Sequence, residues 1–339
     1  VGRVTEAIRV AGGPADTGAV GAVPEARIRI TAWRDDAVTE HVDIAAIPSL
    51  LAEPRTRLWV DIAALHHEGA DEVAVLLGLH PLIVEDIAEQ NQRAKLEETD
   101  GHLHLVLFAL AYAGEIHETE IDLVLGERML LTVHGPSWDP FDLPQLRGGA
   151  GQLLGRGPDF LLYAIADGIV DAYFPVLDAL GDELDTLQDD VIANASSWTL
   201  ERLFALKREL IRLRRATSPA REIFNQLTNR DLALVRAEHV VYYRDVYDHL
   251  IRVTDELDSD RDLVSGTLEV YLSTVNNNLS IIMKRLTGVT VILAGIGAVA
   301  GLFGMSEAGG QVGSFWFVTA VIVALAATTA IVLRRIDWI

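Results

Sequence analysis

The chain has 339 residues, 50% hydrophobic and 23% charged, with a formal net charge of -21 and no cysteine. That balance argues against a nucleic-acid surface, which needs a basic stripe, and the missing cysteines exclude disulfides and thiolate metal sites outright. The acidic excess fits a domain that holds or senses cations, or one kept soluble by charge. Charges crowd the first 285 residues, whereas Leu286 to Leu333 carries one, Glu307.

Residues 1–24, rich in Gly, Ala and Pro, read as a disordered leader without the apolar core of a signal peptide. In 25–150, the runs ARIRITAW, RLWVDI, HLHLVLFAL, EIDLVLG and RMLLTVH read as strands. The stretch around Asp71 to Leu79, and Leu82 to Glu89 after Pro81, read as helices. An α/β domain is expected there, bounded by the turn-rich segment His134 to Gly157. Acidic helices are expected over 151–230, where from Asp159 onward only Pro175 and Pro219 interrupt. The run Asp182, Glu183, Asp185, Asp189 and Asp190 in them is a solvated acidic face or a loose cation-attracting surface.

From Asp231 to Met305 the pattern allows one unbroken helix, roughly 110 Å long at 1.5 Å per residue. A helix of that length has to bundle with copies of itself, which implies an oligomer. Its last part, 286–305, is uncharged for roughly 20 residues, enough to cross a hydrocarbon core about 30 Å thick. A loop, 306–314, leads to a second apolar run, 315–333, and a basic tail, 334–339. Lys284 and Arg285 precede the first span, Arg334 and Arg335 follow the second, and the loop has no Lys or Arg. Positive charge stays inside, so both termini are expected in the cytoplasm. Phe315, Trp316 and Phe317 suit the outer interface and Trp338 the inner one.

Steps of three and four down the long helix give Ser273, Asn276, Ser280, Met283, Thr287, Thr290, Ala294, Gly297, Gly301 and Gly304. Small residues permit close helix contact, and Gly297 to Gly301 is a GxxxG match. Hydroxyls and backbone carbonyls around a symmetry axis would alternatively line a path for a hydrated cation. Contact explains the glycines but not the five hydroxyl or amide side chains on the same line. The stripe carries no fixed charge, which suits an ion that keeps its hydration shell. His66, His67, His102, His104 and His134 show no ligand spacing on an expected helix, so soluble zinc catalysis is disfavoured.

His80 to Glu98, Asp159 to Asp185, Tyr242 to His249, Val264 to Thr287 and Ala300 to Ser306 together resemble the CorA family of divalent-cation channels. HPLIVEDIAEQNQRAKLEE (His80 to Glu98) is similar to the family's HPLxxEDxxNxxQRPKxE stretch. DFLLYAIADGIVDAYFPVLDALGDELD (Asp159 to Asp185) resembles its central helices. YYRDVYDH (Tyr242 to His249) and VSGTLEVYLSTVNNNLSIIMKRLT (Val264 to Thr287) resemble its stalk helix. AGLFGMS (Ala300 to Ser306) stands where the family has AGxYGMN. The resemblance implies a funnel-shaped homopentamer: an α/β cytoplasmic domain, long helices and two transmembrane helices, the first lining the pore. It implies a non-enzyme in the inner membrane, carrying magnesium, with cobalt and nickel as candidates, and closed by cytoplasmic divalent metal bound between subunits.

The positions matching the regulatory site are Asp86 and Asp245, with Asp248 nearby. Without the resemblance, each would read as a helix cap or the partner of an arginine such as Arg244. Two carboxylates about 4 Å apart repel by roughly 4 kcal/mol at an effective dielectric of 20, and a divalent ion between them cancels this. Departures put the ion in doubt. In the signature Gly304, Met305, Ser306 the last residue replaces an asparagine, Ser280 stands where another is common, and Gly295 where proline is frequent. Serine reaches less far into a water shell than a carboxamide. A zinc transporter of the ZntB type and a non-conducting membrane-anchored metal sensor are therefore the alternatives.

Overall fold

A computed structural model of the chain describes residues 26–40, 42–65, 67–305 and 315–335. The expected leader, His66, the loop 306–314 with Ser306, and Trp338 lie outside the described residues. The chain divides into two compact units. The first takes in the chain up to Gln92 together with Leu96–Val106 and Thr119–Ile165; the second takes in Arg93–Lys95, Leu107–Glu118 and the chain from Ala166 on.

In chain order the sheet strands are β1 (Arg27–Arg34), β2 (Ala37–Glu40), β3 (Arg57–Ala63), β4 (Lys95–Thr99), β5 (His102–Tyr112), β6 (Ile116–Leu125) and β7 (Met129–His134). They form one sheet in the order β2-β1-β3-β7-β6-β5-β4. β3 and β7 pair in parallel, while β1 with β3 and β6 with β7 are antiparallel. RLWVDIA and MLLTVH are buried almost throughout, as expected of central strands covered on both faces. Helices α1 (Ile47–Ala52), α2 (His67–Leu77) and α3 (Pro81–Glu89) share a core with one face of these strands. Leu58, Val60, Ile62, Leu131 and Val133 meet Val73, Leu77, Ile83 and Ile87 there.

The alternate residues of the same strands carry a polar network. Arg29 reaches Asp61 and Asp139 at 2.6 Å each and lies 3.8 Å over the Phe141 ring. Thr132 accepts from Trp59 Nε1 at 3.2 Å and donates to the buried Asp61. Partial burial acts to raise the Asp139 carboxyl. The hydrogen bonds and charge of Arg29 outweigh it and hold that carboxyl below its usual range. The segment expected as a boundary stays with this unit. Arg27 and Arg29 hold Asp139, Arg57 donates to the Leu154 carbonyl at 3.3 Å, and Leu143, Leu146 and Leu154 are buried. The division falls later, at Ile165 to Ala166 within α5 (Pro158–Asp171), which follows α4 (Ala150–Arg156).

The second unit is built on α6 (Tyr173–Ala193), α7 (Ser197–Asn229) and α8 (Val240–Met305), with α9 (Phe315–Arg335) against α8. Ser196 starts α7 by accepting from the Thr199 N–H at 3.2 Å, an N-cap. Buried residues recur at helical spacing: Leu177, Leu180, Leu184 and Leu187; Leu203, Leu206, Leu210 and Leu213; Tyr243, Val246, Leu250, Val253 and Leu257. These stripes are what an antiparallel bundle needs. Neither proline interrupts. Pro175 lies in the first turn of α6, where its missing N–H costs little, and Pro219 sits inside α7 beside buried Ala220, Ile223 and Phe224.

The long helix starts at Val240 rather than Asp231, so at 1.5 Å per residue it is about 100 Å long. Residues 231–239 turn instead, with Val235 N–H on the Leu232 carbonyl and His239 N–H on that of Arg236. Burial of Leu232 and Val235 fixes the turn. Helix propensity alone did not reveal it.

Candidate ion path and metal-binding clusters

Along α8 the soluble packing ends at Tyr271. Beyond it Leu272, Leu279, Ile282, Met283, Leu286 and Leu293 are exposed. Two helical stretches are long and apolar enough to cross a membrane. Pro158–Ala193 is 72% buried, a core helix pair, whereas the apolar window of Val240–Leu302 is 6% buried. Water does not tolerate such a surface over several turns. α9 is uncharged from Phe315 to Leu333 and ends on exposed Arg334 and Arg335; Lys284 and Arg285 are exposed at the foot of the α8 span.

Ser280, Met283, Thr287, Thr290, Ala294, Gly297 and Gly301 keep to one side of α8, within a band about 100° wide at 3.6 residues per turn. A Cβ added at Gly297 or Gly301 would meet nothing within 4 Å, so neither glycine is needed for close packing of α9 against α8. The hydroxyls of Ser280, Thr287 and Thr290 donate to the carbonyls of Asn276, Met283 and Leu286 at 2.9, 2.8 and 2.8 Å. Each hydroxyl proton is thus engaged by its own helix, and the oxygen lone pairs are left as acceptors. Water around a cation points its oxygens inward and its hydrogens out, so a wall of acceptors matches a hydrated cation. Gly304 and Met305 close α8.

Asp86 lies near the end of α3. His80 caps that helix through Nδ1 on the Leu82 N–H at 3.2 Å, Pro81 takes its first position, and Gln90 ends it in a left-handed conformation at φ 45°. β4 and β5 turn through Asp100 and Gly101, both at positive φ. A two-residue turn of that type sets Glu97 opposite His104 across the hairpin. Asp86, Glu97 and His104 offer three ligand atoms within 4.8 Å of one another. The imidazole is fully buried, with Nε2 2.8 Å from Asp122 Oδ1 and Nδ1 3.9 Å from Asp86 Oδ2.

In the second unit Asp245 and Asp248 are exposed on α8. His249, one turn from Asp245 on the same face, groups with Asp167 and Asp171 of α5. Its Nδ1 comes within 3.1 Å of Asp171 Oδ1 without an aligned hydrogen bond, and its ring stands edge-on to Phe174 at 5.8 Å. Further along α8, burial and then the charges of Glu256 and Asp185 raise the Asp260 carboxyl above its ordinary range.

Asp86 and Asp245, expected as partners between subunits, belong to different units and are each described in their own surroundings. The sequence reading named His104 but set it aside for want of a ligand spacing, and it missed Glu97 and Asp122, and Asp167, Asp171 and His249. A charged residue inside an apolar run, such as Asp122 in IDLVL or Asp167 in AIADGIV, was the available signal.

The profile of the family described as CorA-like Mg2+ transporter protein matches residues 56–335. The chain belongs to the CorA family. Among curated relatives, the cobalt/magnesium transport protein CorA of Thermotoga maritima is 35% identical over 257 residues, covering 74% of this chain and 73% of that protein. Among solved structures, the CorA magnesium transporter from Methanocaldococcus jannaschii superposes with a TM-score of 0.77 at 20% identity, over 92% of this chain and 99% of that one. The ZntB cytoplasmic domain from Vibrio parahaemolyticus reaches 0.57 at 16% identity, over 74% of this chain and 99% of that domain. CorA proteins are membrane-embedded ion transporters and not enzymes, and divalent cation transport is the function this chain carries. Their fold, an α/β domain followed by long helices and two apolar ones, is the fold described above.

Proposed function

We propose that the protein is a gated, passive channel for hydrated divalent cations, magnesium first with cobalt and nickel as further cargo. A homopentamer in the cytoplasmic membrane would form it, with both termini inside. The observation that carries this reading is the uncharged stripe Ser280, Thr287, Thr290, whose hydroxyl protons are spent on the helix itself. Five copies of α8 around an axis would turn the stripe inward and line the path with acceptors. Gly304, Met305 and Ser306 would form its outer mouth, and the basic pairs Lys284, Arg285 and Arg334, Arg335 would anchor the inner face.

Cytoplasmic divalent metal at Asp86 of one subunit and Asp245 of the next, with Asp248 nearby, would hold the closed state. Several such sites around a ring could together bias the closed state by more than the ~5.5 kcal/mol that takes an equilibrium from 1:99 to 99:1. Asp167, Asp171 and His249 would supply a further cation-binding group beside Asp245 on the same helix.

Uptake by vesicles containing the purified protein tests the reading, run for magnesium, cobalt, nickel and zinc with and without an imposed pH gradient. Magnesium uptake independent of the gradient supports it. Zinc uptake that requires the gradient would mean a ZntB-type transporter, and metal binding without any flux would mean a sensor.

A further inference from the structure

We infer that each subunit carries its own transition-metal site in the α/β domain, built from His104 Nδ1, Asp86 and Glu97, with Asp122 as the residue that positions the histidine. It binds zinc, cobalt or nickel in preference to magnesium. The site goes beyond the interface proposed above, since no ligand comes from a second subunit and Asp245 takes no part.

Two buried atoms point to a ligand. His104 is fully buried and its Nδ1 has no hydrogen-bond partner; Asp122, also fully buried, has one oxygen on His104 and the other, Oδ2, without a partner. With Nε2–H donated to Asp122, the neutral imidazole has its lone pair on Nδ1, which faces Asp86 Oδ2 at 3.9 Å. A cation bound beside Asp86 would give the buried Nδ1 the partner it lacks. A metal there would polarise the imidazole and stabilise the buried Asp122 charge. This is the carboxylate-histidine-metal relay by which an outer carboxylate fixes the tautomer and raises ligand basicity.

The spacing is slightly open. Ligand atoms bonded at about 2.0–2.2 Å in a tetrahedron sit roughly 3.5 Å apart, against the 4.8 Å limit found for these three. Glu97 is exposed and Asp86 reaches solvent, so exchanging their present contacts for the ion closes the set around a fixed imidazole, with water in the fourth position. One nitrogen and two carboxylates form a borderline donor set. Zinc, cobalt and nickel prefer imidazole, whereas magnesium keeps to oxygen ligands and water.

The test uses full-length protein in detergent, stripped of metal and titrated with cobalt under a large excess of magnesium, following the visible absorption of nitrogen-ligated cobalt. All variants carry His249→Gln to silence the other histidine cluster. The expected result is one magnesium-resistant cobalt per subunit, abolished by His104→Gln and by Glu97→Gln. Affinity should fall about 10- to 100-fold in Asp122→Asn and should not fall in Asp245→Asn. Since Glu97 is exposed, Glu97→Gln keeps the test valid if His104→Gln fails to fold. A spectrum that is the same with and without Glu97→Gln, cobalt fully displaced by magnesium, or a signal lost in Asp245→Asn would each overturn the site. Magnesium gating that proves independent of Asp245 would sink the interface reading and leave this site standing.

Discussion

Tyr112 donates its phenol to Glu183 Oε2 at 2.6 Å, while Arg202 donates to Oε1 of the same carboxylate at 2.8 Å. Burial, and then the Glu183 hydrogen bond, push the phenol pKa up to about 12. Because the folded value lies above the ordinary one of about 10, the contribution is fully present below that pH and lost as pH rises toward about 12. Tyr112→Phe should therefore lower stability by about 1 to 2 kcal/mol at neutral pH. Between about pH 10 and 12 it should also show a shallower alkaline loss than the parent protein. Thermal unfolding across that range measures both.

Asp139 gives the opposite sign. Its folded pKa is depressed by Arg29, so its stabilising effect is present above the ordinary carboxylate range and disappears as pH falls through the lowered value. Asp139→Asn should destabilise the sheet unit at neutral pH and narrow the gap to wild type under strong acid. Denaturant midpoints at neutral and acidic pH decide it; a gap that does not shrink assigns the loss to geometry rather than to charge.

Asp260 is held above its ordinary range by burial and by Glu256 and Asp185, so its stabilising effect exists only at low pH and is lost as pH rises through the folded value. At neutral pH the charge is a liability. Asp260→Asn should raise the melting temperature by about 1 to 2 °C, with no gain under strong acid. Added divalent cation should stabilise wild type more than this variant.

The acidic run of α6 shows what the sequence could and could not tell. Its spacing suggested a solvated face, yet Glu183 is taken up by Tyr112 and Arg202, a pairing set by chain folding over 71 residues and invisible to local pattern. The central strands β3 and β7 and the apolar stretch of α8 were legible because burial dictates their composition directly. β2 and β4 were not: AVTE is exposed at every position and KLEET has no buried face. The cluster at His249 combines helices far apart in the chain and that at His104 depends on strand register, so only the odd charge in an apolar run could hint at them.

The hydroxyl stripe makes a direct prediction. Thr287→Val and Thr290→Val keep the bulk of each side chain and remove its acceptor, so the double variant should cut divalent uptake about tenfold or more while the protein still assembles. Normal uptake, measured in the same vesicles, would leave the stripe with a packing role between subunits.

Gating can be tested at Asp245. Asp245→Lys places an ammonium where a cation would bind, and cytoplasmic magnesium should then lose most of its inhibition of flux. Inhibition that persists both there and in Asp86→Lys would remove the interface site from the account.

α8 has no proline anywhere between Val240 and Met305, and that makes it a stiff lever rather than a jointed one. Thr287 lies about 63 Å beyond Asp245 at 1.5 Å per residue, so a tilt of about 2° pivoted near Asp245 swings Thr287 sideways by roughly 2 Å. In the pentamer proposed above, the same swing in five helices at once would change the bore by roughly 4 Å, more than the width of a water molecule. Angular play too small to disturb the stripes that pack α6, α7 and the lower part of α8 would thereby be magnified into a dimension that a hydrated ion feels.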